Sequence, residues 1–249
     1  MLLIASAACG SSGKAPSTPP TTSSTTTTST STTTAATTTT TAPAASPPIV
    51  TAPRGRVDVT DAPAYAVGSS NVTAAELGSS YHAGCPVGPD QLRRVQLRYW
   101  GFDAHPHTGT LVVAADAVNA IGGAFHRLYD ERFPIRRMET VDRYGGDDRA
   151  SMAADNTSAF NCRFVADTNR WSAHAYGQAI DINTVENPSV QQGGQVSPPT
   201  GAAFLDRSNV RPGMAYWGGE LVDAFAAYGW QWGGRWSDPD YQHFSSTGG

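Results

Sequence analysis

Between Ala15 and Pro53 the chain carries no charged residue and little besides Thr, Ser, Pro and Ala, which limits how much of its 249 residues can fold. Such a run cannot bury enough apolar surface to offset the entropy of ordering it, so residues 11–54 are expected to form a solvated, disordered linker. In polyproline form, at about 3.1 Å per residue, it would span roughly 100 Å. A passive tail and a stalk that holds a domain away from a surface both fit this composition. From residue 55 onward the composition is that of a globular protein, and about 195 residues suffice for one compact domain with its own core.

The segment before the linker favours the stalk. Residues 1–10 open with Met-Leu-Leu-Ile-Ala-Ser-Ala-Ala-Cys9, an apolar run that passes through small residues to a cysteine followed by Gly10 and Ser11. This reads as the end of an export signal and resembles a bacterial lipobox, with Cys9 as the acylated residue. No basic stretch precedes the apolar run, so the true start of translation is expected upstream. Export to the cell envelope follows, with Cys9 the expected membrane attachment, since no later apolar run reaches the roughly 18 residues of a transmembrane helix. Cys85 and Cys162 then remain, the right number for one disulfide in an oxidising compartment. A crosslink closing so long a loop would stabilise by roughly 4 kcal/mol in the chain-entropy model. Two buried thiols are the alternative, and neither cysteine has a second ligand at the short spacing of a metal site.

Net charge is −4, and Lys14 is the sole lysine among 17 basic residues. The arginines form no basic stripe, which argues against nucleic acid as a partner. Residues 95–102 and 110–115 have strand character, with Pro106-His107-Thr108-Gly109 between them as a turn. Asp116 is placed to cap a helix whose apolar positions Val118, Ile121, Phe125, Leu128 and Tyr129 follow helical spacing and which ends before Pro134. Residues 135–141 read as extended, 147–156 as a short helix, 179–182 as a buried strand, and 220–228 as a helix with Gly229 as its C-cap. This order predicts an α+β fold, with a small, mainly antiparallel sheet flanked by helices, in one domain over 55–249.

Two separated segments carry the chemistry: Ser172-Ala-His174-Ala-Tyr-Gly177-Gln-Ala-Ile-Asp181 and Asp240-Tyr-Gln-His243. His174, Asp181 and His243 together can hold one zinc ion. Asp240, three residues before the last of them, can lean over the metal without binding it and take a proton from an activated water. If 179–182 is a strand, Asp181 points away from Ile180 and Ile182, into a cleft while they fill the core. His174 falls in a loop loosened by Gly177, and a turn at Asp238-Pro239-Asp240 lets Asp240 and His243 face one cavity. His105 and His107 form a His-x-His pair, but Pro106 and Gly109 make it a solvent-exposed turn. Trp230, Trp232, Trp236 and Phe244 crowd the second segment and suit a core and a binding cleft equally.

Together with residues 156–163 (Asn-Thr-Ser-Ala-Phe-Asn-Cys-Arg) and Trp230-x-Trp-Gly-Gly-x-Trp236, these segments resemble the D-alanyl-D-alanine carboxypeptidase and L-alanyl-D-glutamate endopeptidase family of bacterial zinc peptidases. The likeness runs from about Cys85 to Phe244, with several motifs in the right order. It implies His174, Asp181 and His243 as zinc ligands and Asp240 as general base. It further implies that Arg163 contacts the substrate carbonyl or the oxyanion, and that Ser172 positions substrate or the neighbouring ligand. Many members carry Glu where this chain has Asp240; Asp is similar to the endopeptidase-like branch. The resemblance implies a monomeric, exported enzyme whose partner is the peptidoglycan stem peptide. Two other readings are a non-catalytic module that binds cell-wall peptide on the same scaffold, and an adhesin with a structural zinc, which would need four protein ligands.

Overall fold

The computed structural model describes residues 62–248. The proposed export signal with Cys9, the linker over 11–54 and the first residues of the 55–249 domain lie outside the described residues. The described part is α+β, and all its strand ladders run antiparallel.

It opens with an exposed edge strand, β1 (Val67–Asn71), and a one-turn helix, α1 (Ala74–Leu77). Thr73 accepts from the amide of Glu76 while Glu76 reaches back to the amide of Thr73, a capping box that satisfies two helix-end donors at once. A long hairpin follows, β2 (Leu92–Trp100) and β3 (Pro106–Ala114), giving a sheet ordered β1-β2-β3. Its turn lies at 101–105 rather than at Pro106–Gly109. Trp100 pairs with Pro106 and Leu97 with Gly109, so the predicted turn residues are the first half of β3. Pro106 is tolerated because it opens the strand, and Gly109 is needed because a Cβ there would fall 2.4 Å from that of Met138.

The hairpin has two buried faces. Val95, Leu97, Tyr99, Leu111 and Val113 face the main core, and Leu92 and Val112 pack with Phe160 and Cys162 in a second cluster. The helix α2 (Val118–Asp130) lies across the main-core face and buries Ile121, Ala124, Phe125, Leu128 and Tyr129. Each such side chain contributes about 1.5–3 kcal/mol. Asp116 does not cap it: residues Ala115–Ala117 form a 3₁₀ turn that runs into the helix, and its N-cap Ala117 has no side chain to offer. Residues 135–141 form no regular strand; they are tied down by single bridges of Pro134 to Trp100 and Met138 to Thr157. The helix α3 (Asp148–Ala153) starts at Asp147, whose carboxylate accepts from the amides of Arg149 and Ala150.

The second sheet, ordered β4-β8-β7, is built from β4 (Ala179–Asp181), β7 (Gln231–Trp232) and β8 (His243–Ser245). A hairpin of β5 (Ser189–Val190) and β6 (Val196–Ser197) leaves the chain between β4 and the helix α4 (Glu220–Ala226). Gly229 closes that helix as its sequence position suggests. At φ 77° it donates to the carbonyl of Ala226, and Trp230 donates to that of Phe225, the paired bonds of a Schellman ending. Trp230 then packs edge-on to Phe225, with ring centroids 5.8 Å apart.

Candidate metal site and cleft

The register of β4 against β8 builds the centre of the site. Ile180 stands opposite Phe244 and Asp181 opposite His243. Because side chains alternate across a strand, one pair enters the core and the other emerges on the opposite face. Ile180 and Phe244 are fully buried among the core residues, while Asp181 and His243 line a cleft of about 860 Å³.

His174 joins them from a 3₁₀ turn, Ala173–Tyr176. Ser172 is the N-cap of that turn, its hydroxyl accepting from the His174 amide at 3.3 Å. Gly177 is not a loosening element. It closes the turn at φ 68°, and a Cβ there would lie 2.5 Å from the backbone nitrogen of Ala114, which donates to the Gly177 carbonyl at 2.9 Å. The turn is therefore pinned to β3 by a contact that only glycine permits.

The three donor atoms converge closely. His174 Nε2 lies 3.3 Å and His243 Nδ1 3.2 Å from the same Asp181 oxygen, and the two nitrogens are 3.2 Å apart. Donors bonded at about 2.0–2.1 Å to a tetrahedral zinc lie roughly 3.3–3.4 Å from one another, so this triangle fits one face of such a site. The His174 tautomer is set by the carbonyl of Ala159, 2.6 Å from Nδ1, which takes the ring proton and leaves the Nε2 lone pair free. All three side chains are buried, and His174, Asp181 and His243 form a group that could hold a metal ion.

The charges fit a cation as well. Burial would raise the carboxyl of Asp181, yet the two imidazoles hold it well below the usual carboxylate range. Burial works against a charge on His174, and Asp181 outweighs it, so the imidazole is shifted upward. Among the described residues, the ion pairs of Asp181 are with His174 and His243 and none is with an arginine.

Asp240 lines the same cleft, following the bend at 236–238. Its Oδ1 is buried without a hydrogen-bond partner. Burial and the negative charge of Asp181 raise its carboxyl to about 6. Arg163 reaches the cleft from the other side, its Nη2 held 2.8 Å from Asp148 Oδ2 and its Nε left unpartnered. Trp236 tilts over the His243 ring at 5.3 Å.

The other predicted residues separate from this group. His105 and His107 are exposed on the first hairpin, where His107 pairs with Asp103. Cys85 and Cys162 form a disulfide, so the neighbouring His82 has no thiolates with which to bind metal. That bridge ties the second core cluster to the residue just before Arg163.

Several cleft residues had no signal in the sequence. Part of the lining comes from residues 165–168, Arg170 and Trp171, with Trp171 backed by Phe164, which bridges to it and stacks on it at 3.9 Å. Another part comes from the β5–β6 hairpin, with Gln191, Gln192 and Gln195. Asp148 is also among them, since its role depends on a contact across the fold with Arg163.

A buried two-histidine, one-carboxylate triangle with a free acid beside it in an open cleft is the arrangement of a metal-dependent hydrolase. Residues 166–246 match the family described as D-alanyl-D-alanine carboxypeptidase. The match covers all three candidate ligands and Asp240; Arg163 lies just before it. No curated protein and no solved structure matches the chain.

Proposed function

We propose that this protein is a zinc peptidase that cleaves peptidoglycan stem peptides, with His174, Asp181 and His243 as the zinc ligands. The observation that carries this reading is the antiparallel pair Asp181–His243, completed by His174 at tetrahedral-edge distances, with the unpartnered oxygen of Asp240 in the same cleft. Zinc held there supplies Lewis acidity at the scissile carbonyl. Asp240 acts as general base toward the attacking water, and the elevated carboxyl of a half-buried acid suits it to return that proton to the leaving amine. Arg163, oriented by Asp148, donates to the carbonyl oxygen as negative charge develops on it. Ser172 serves the site by holding the His174 turn.

The amide-rich β5–β6 hairpin offers donors and acceptors to an extended peptide, and Trp171 and Val165 offer an apolar surface. The Cys85–Cys162 bridge supports a place outside the cytoplasm. Among the described residues no helix is long and apolar enough to cross a membrane, so membrane attachment would rest on Cys9.

The test is digestion of defined stem peptides by the zinc-loaded protein, read by mass spectrometry, with Asp240→Asn as control. Release of terminal D-alanine identifies a carboxypeptidase, and a cut between L-alanine and D-glutamate an endopeptidase. Intact peptides in the presence of bound zinc would replace this proposal with the peptide-binding module.

A further inference from the structure

A second pocket, of about 470 Å³, shares no lining residue with the cleft. It lies along the same stretch of chain: Trp236 and Asp240 line the cleft, whereas Trp232, Arg235 and Tyr241 line the pocket. Its walls are aromatic. Trp217 is 69% exposed, the most exposed large apolar side chain among the described residues. Trp232 is held in place by its Nε1, which donates to the Tyr241 carbonyl at 2.9 Å. The bare backbone of Gly234 lies against the Trp232 ring, for a Cβ there would fall 2.2 Å from it.

Two guanidinium groups lie over these rings. Arg207 sits 4.0 Å above Tyr241 and Arg235 4.4 Å above Trp217. The arginine ion pairs among the described residues are those of Arg127, Arg136, Arg137, Arg143 and Arg163, so neither of these two has a carboxylate partner. Arg207 is mostly buried; Nη1 donates to Asn187 Oδ1 and to the Ala215 carbonyl, while Nε and Nη2 have no partner. Burial is the largest influence and disfavours its charge; Tyr241 favours the charge and the nearby Arg211 disfavours it. A desolvated cation beside a second cation, with no anion of the protein's own, is costly unless a ligand supplies the negative charge.

We propose that this pocket binds a saccharide that carries a carboxylate or a phosphate, the sugar ring lying on Trp217 and Trp232 and the anion facing Arg207 and Arg235. Flat, partly exposed indoles accept the apolar face of a pyranose, and guanidinium groups favour carboxylate and phosphate oxygens. The choice of probes rests on the cell-wall reading of the cleft; the pocket itself does not. Binding here would anchor a wall glycan to the outer face of the segment that carries Asp240.

The experiment is calorimetric titration of the full chain with N-acetylmuramic acid and with N-acetylglucosamine 6-phosphate, against neutral N-acetylglucosamine. We expect one of the two anionic sugars to bind at least tenfold more tightly than the neutral one; which one does so distinguishes a carboxylate from a phosphate source. Trp217→Ala and Arg235→Gln, both at exposed side chains, should each weaken that binding at least tenfold and leave zinc affinity unchanged. The proposal is overturned by no binding of either anionic sugar up to about 10 mM, the weak end for small ligands. Equal binding of the neutral sugar, or variants that bind as the parent does, would overturn it too. Hydrolysis is not read in this titration, so an inactive cleft would leave the result intact.

Discussion

Replacement of Gly177 by alanine tests whether the fold, rather than loop freedom, places His174. The glycine has φ 68°, and the new Cβ would meet Ala114 N at 2.5 Å and Val113 C at 2.9 Å, both backbone atoms that cannot rotate aside. The left-handed conformation costs a non-glycine residue about 1–2 kcal/mol. Relieving the contact pushes the turn off β3 and lengthens the Ala114 to Gly177 hydrogen bond, worth about 0.5–1.5 kcal/mol. Together these give about 1.5–3.5 kcal/mol, a large share of the 5–15 kcal/mol typical of a domain. Gly145 is the matched control, since it also closes a 3₁₀ turn, at φ 69°, but an added Cβ would meet nothing within 4 Å. Gly145→Ala should therefore cost only about 1–2 kcal/mol. Urea denaturation of both metal-free variants separates the close-approach contribution from the conformational one. Zinc titration against a competing chelator should show affinity falling roughly tenfold or more in Gly177→Ala alone, because the shifted turn carries His174 with it. Equal stability losses in the two variants, with zinc affinity unchanged, would refute the argument.

Asp240→Asn should keep zinc affinity and reduce turnover by about 10²- to 10⁴-fold. In the parent protein the base must be ionised, and a cation at the ligands draws its carboxyl down from about 6, so kcat/KM should fall as pH drops through a value at or below that; a flat profile down to about pH 4 would remove Asp240 from the role. Asp148→Asn frees the Arg163 guanidinium and should lower kcat with zinc affinity intact, Asp148→Glu restoring part of it; parent-like kcat in Asp148→Asn would show that Arg163 needs no such support. Stability should also respond to Glu186, whose carboxyl is raised from 4.5 to about 8 by burial and by Asp155, against the pull of Arg136. Between those values the folded state binds the extra proton, so the contribution is fully present below about pH 4.5 and lost as pH rises to about 8. Glu186→Gln, followed by urea melts across that range, should flatten the decline, and an unchanged slope would exclude Glu186 as its source.

How far the site could be read from the sequence followed how local each signal was. Gly229 was legible because a Schellman ending is a property of six consecutive residues. The α2 core stripe was legible because helical spacing shows which side chains share a face. The first hairpin was misplaced because Pro106 and Gly109 are turn residues by type, whereas here one opens a strand and the other makes room for Met138. Gly177 was read as freedom when it is constraint; its meaning depends on β3, more than sixty residues away in the chain. Asp148 and the glutamine-bearing hairpin left no local pattern, and of the second pocket only Trp232 stood out, in an aromatic run that suited a core as well as a cleft. Their side chains meet only after the fold is complete.

The Asp181–His243 pair shows why the sequence-proposed metal-binding residues come together in the fold. In a strand with one face in the apolar core, a one-residue slip of register would turn Ile180 and Phe244 toward the polar cleft and drive Asp181 and His243 into the apolar core in their place. Two buried ionisable groups would replace two large apolar ones, losing about 1.5–3 kcal/mol of burial for each side chain and adding the cost of desolvating the charge. The core therefore selects the register, and the register brings the two candidate ligands opposite each other without the help of a metal. Sequence alternation reveals the inward residues of β4, and the outward ones then have only one face on which to meet. His174 completes the site through a different constraint, the glycine contact on β3, so its position can be disturbed without loss of the strand pair. Loss of zinc affinity with the β4–β8 ladder intact is accordingly the signature expected of Gly177→Ala, and amide hydrogen exchange at Ile182, whose N–H donates across to the Gln242 carbonyl, is where the intact ladder would be seen in that variant.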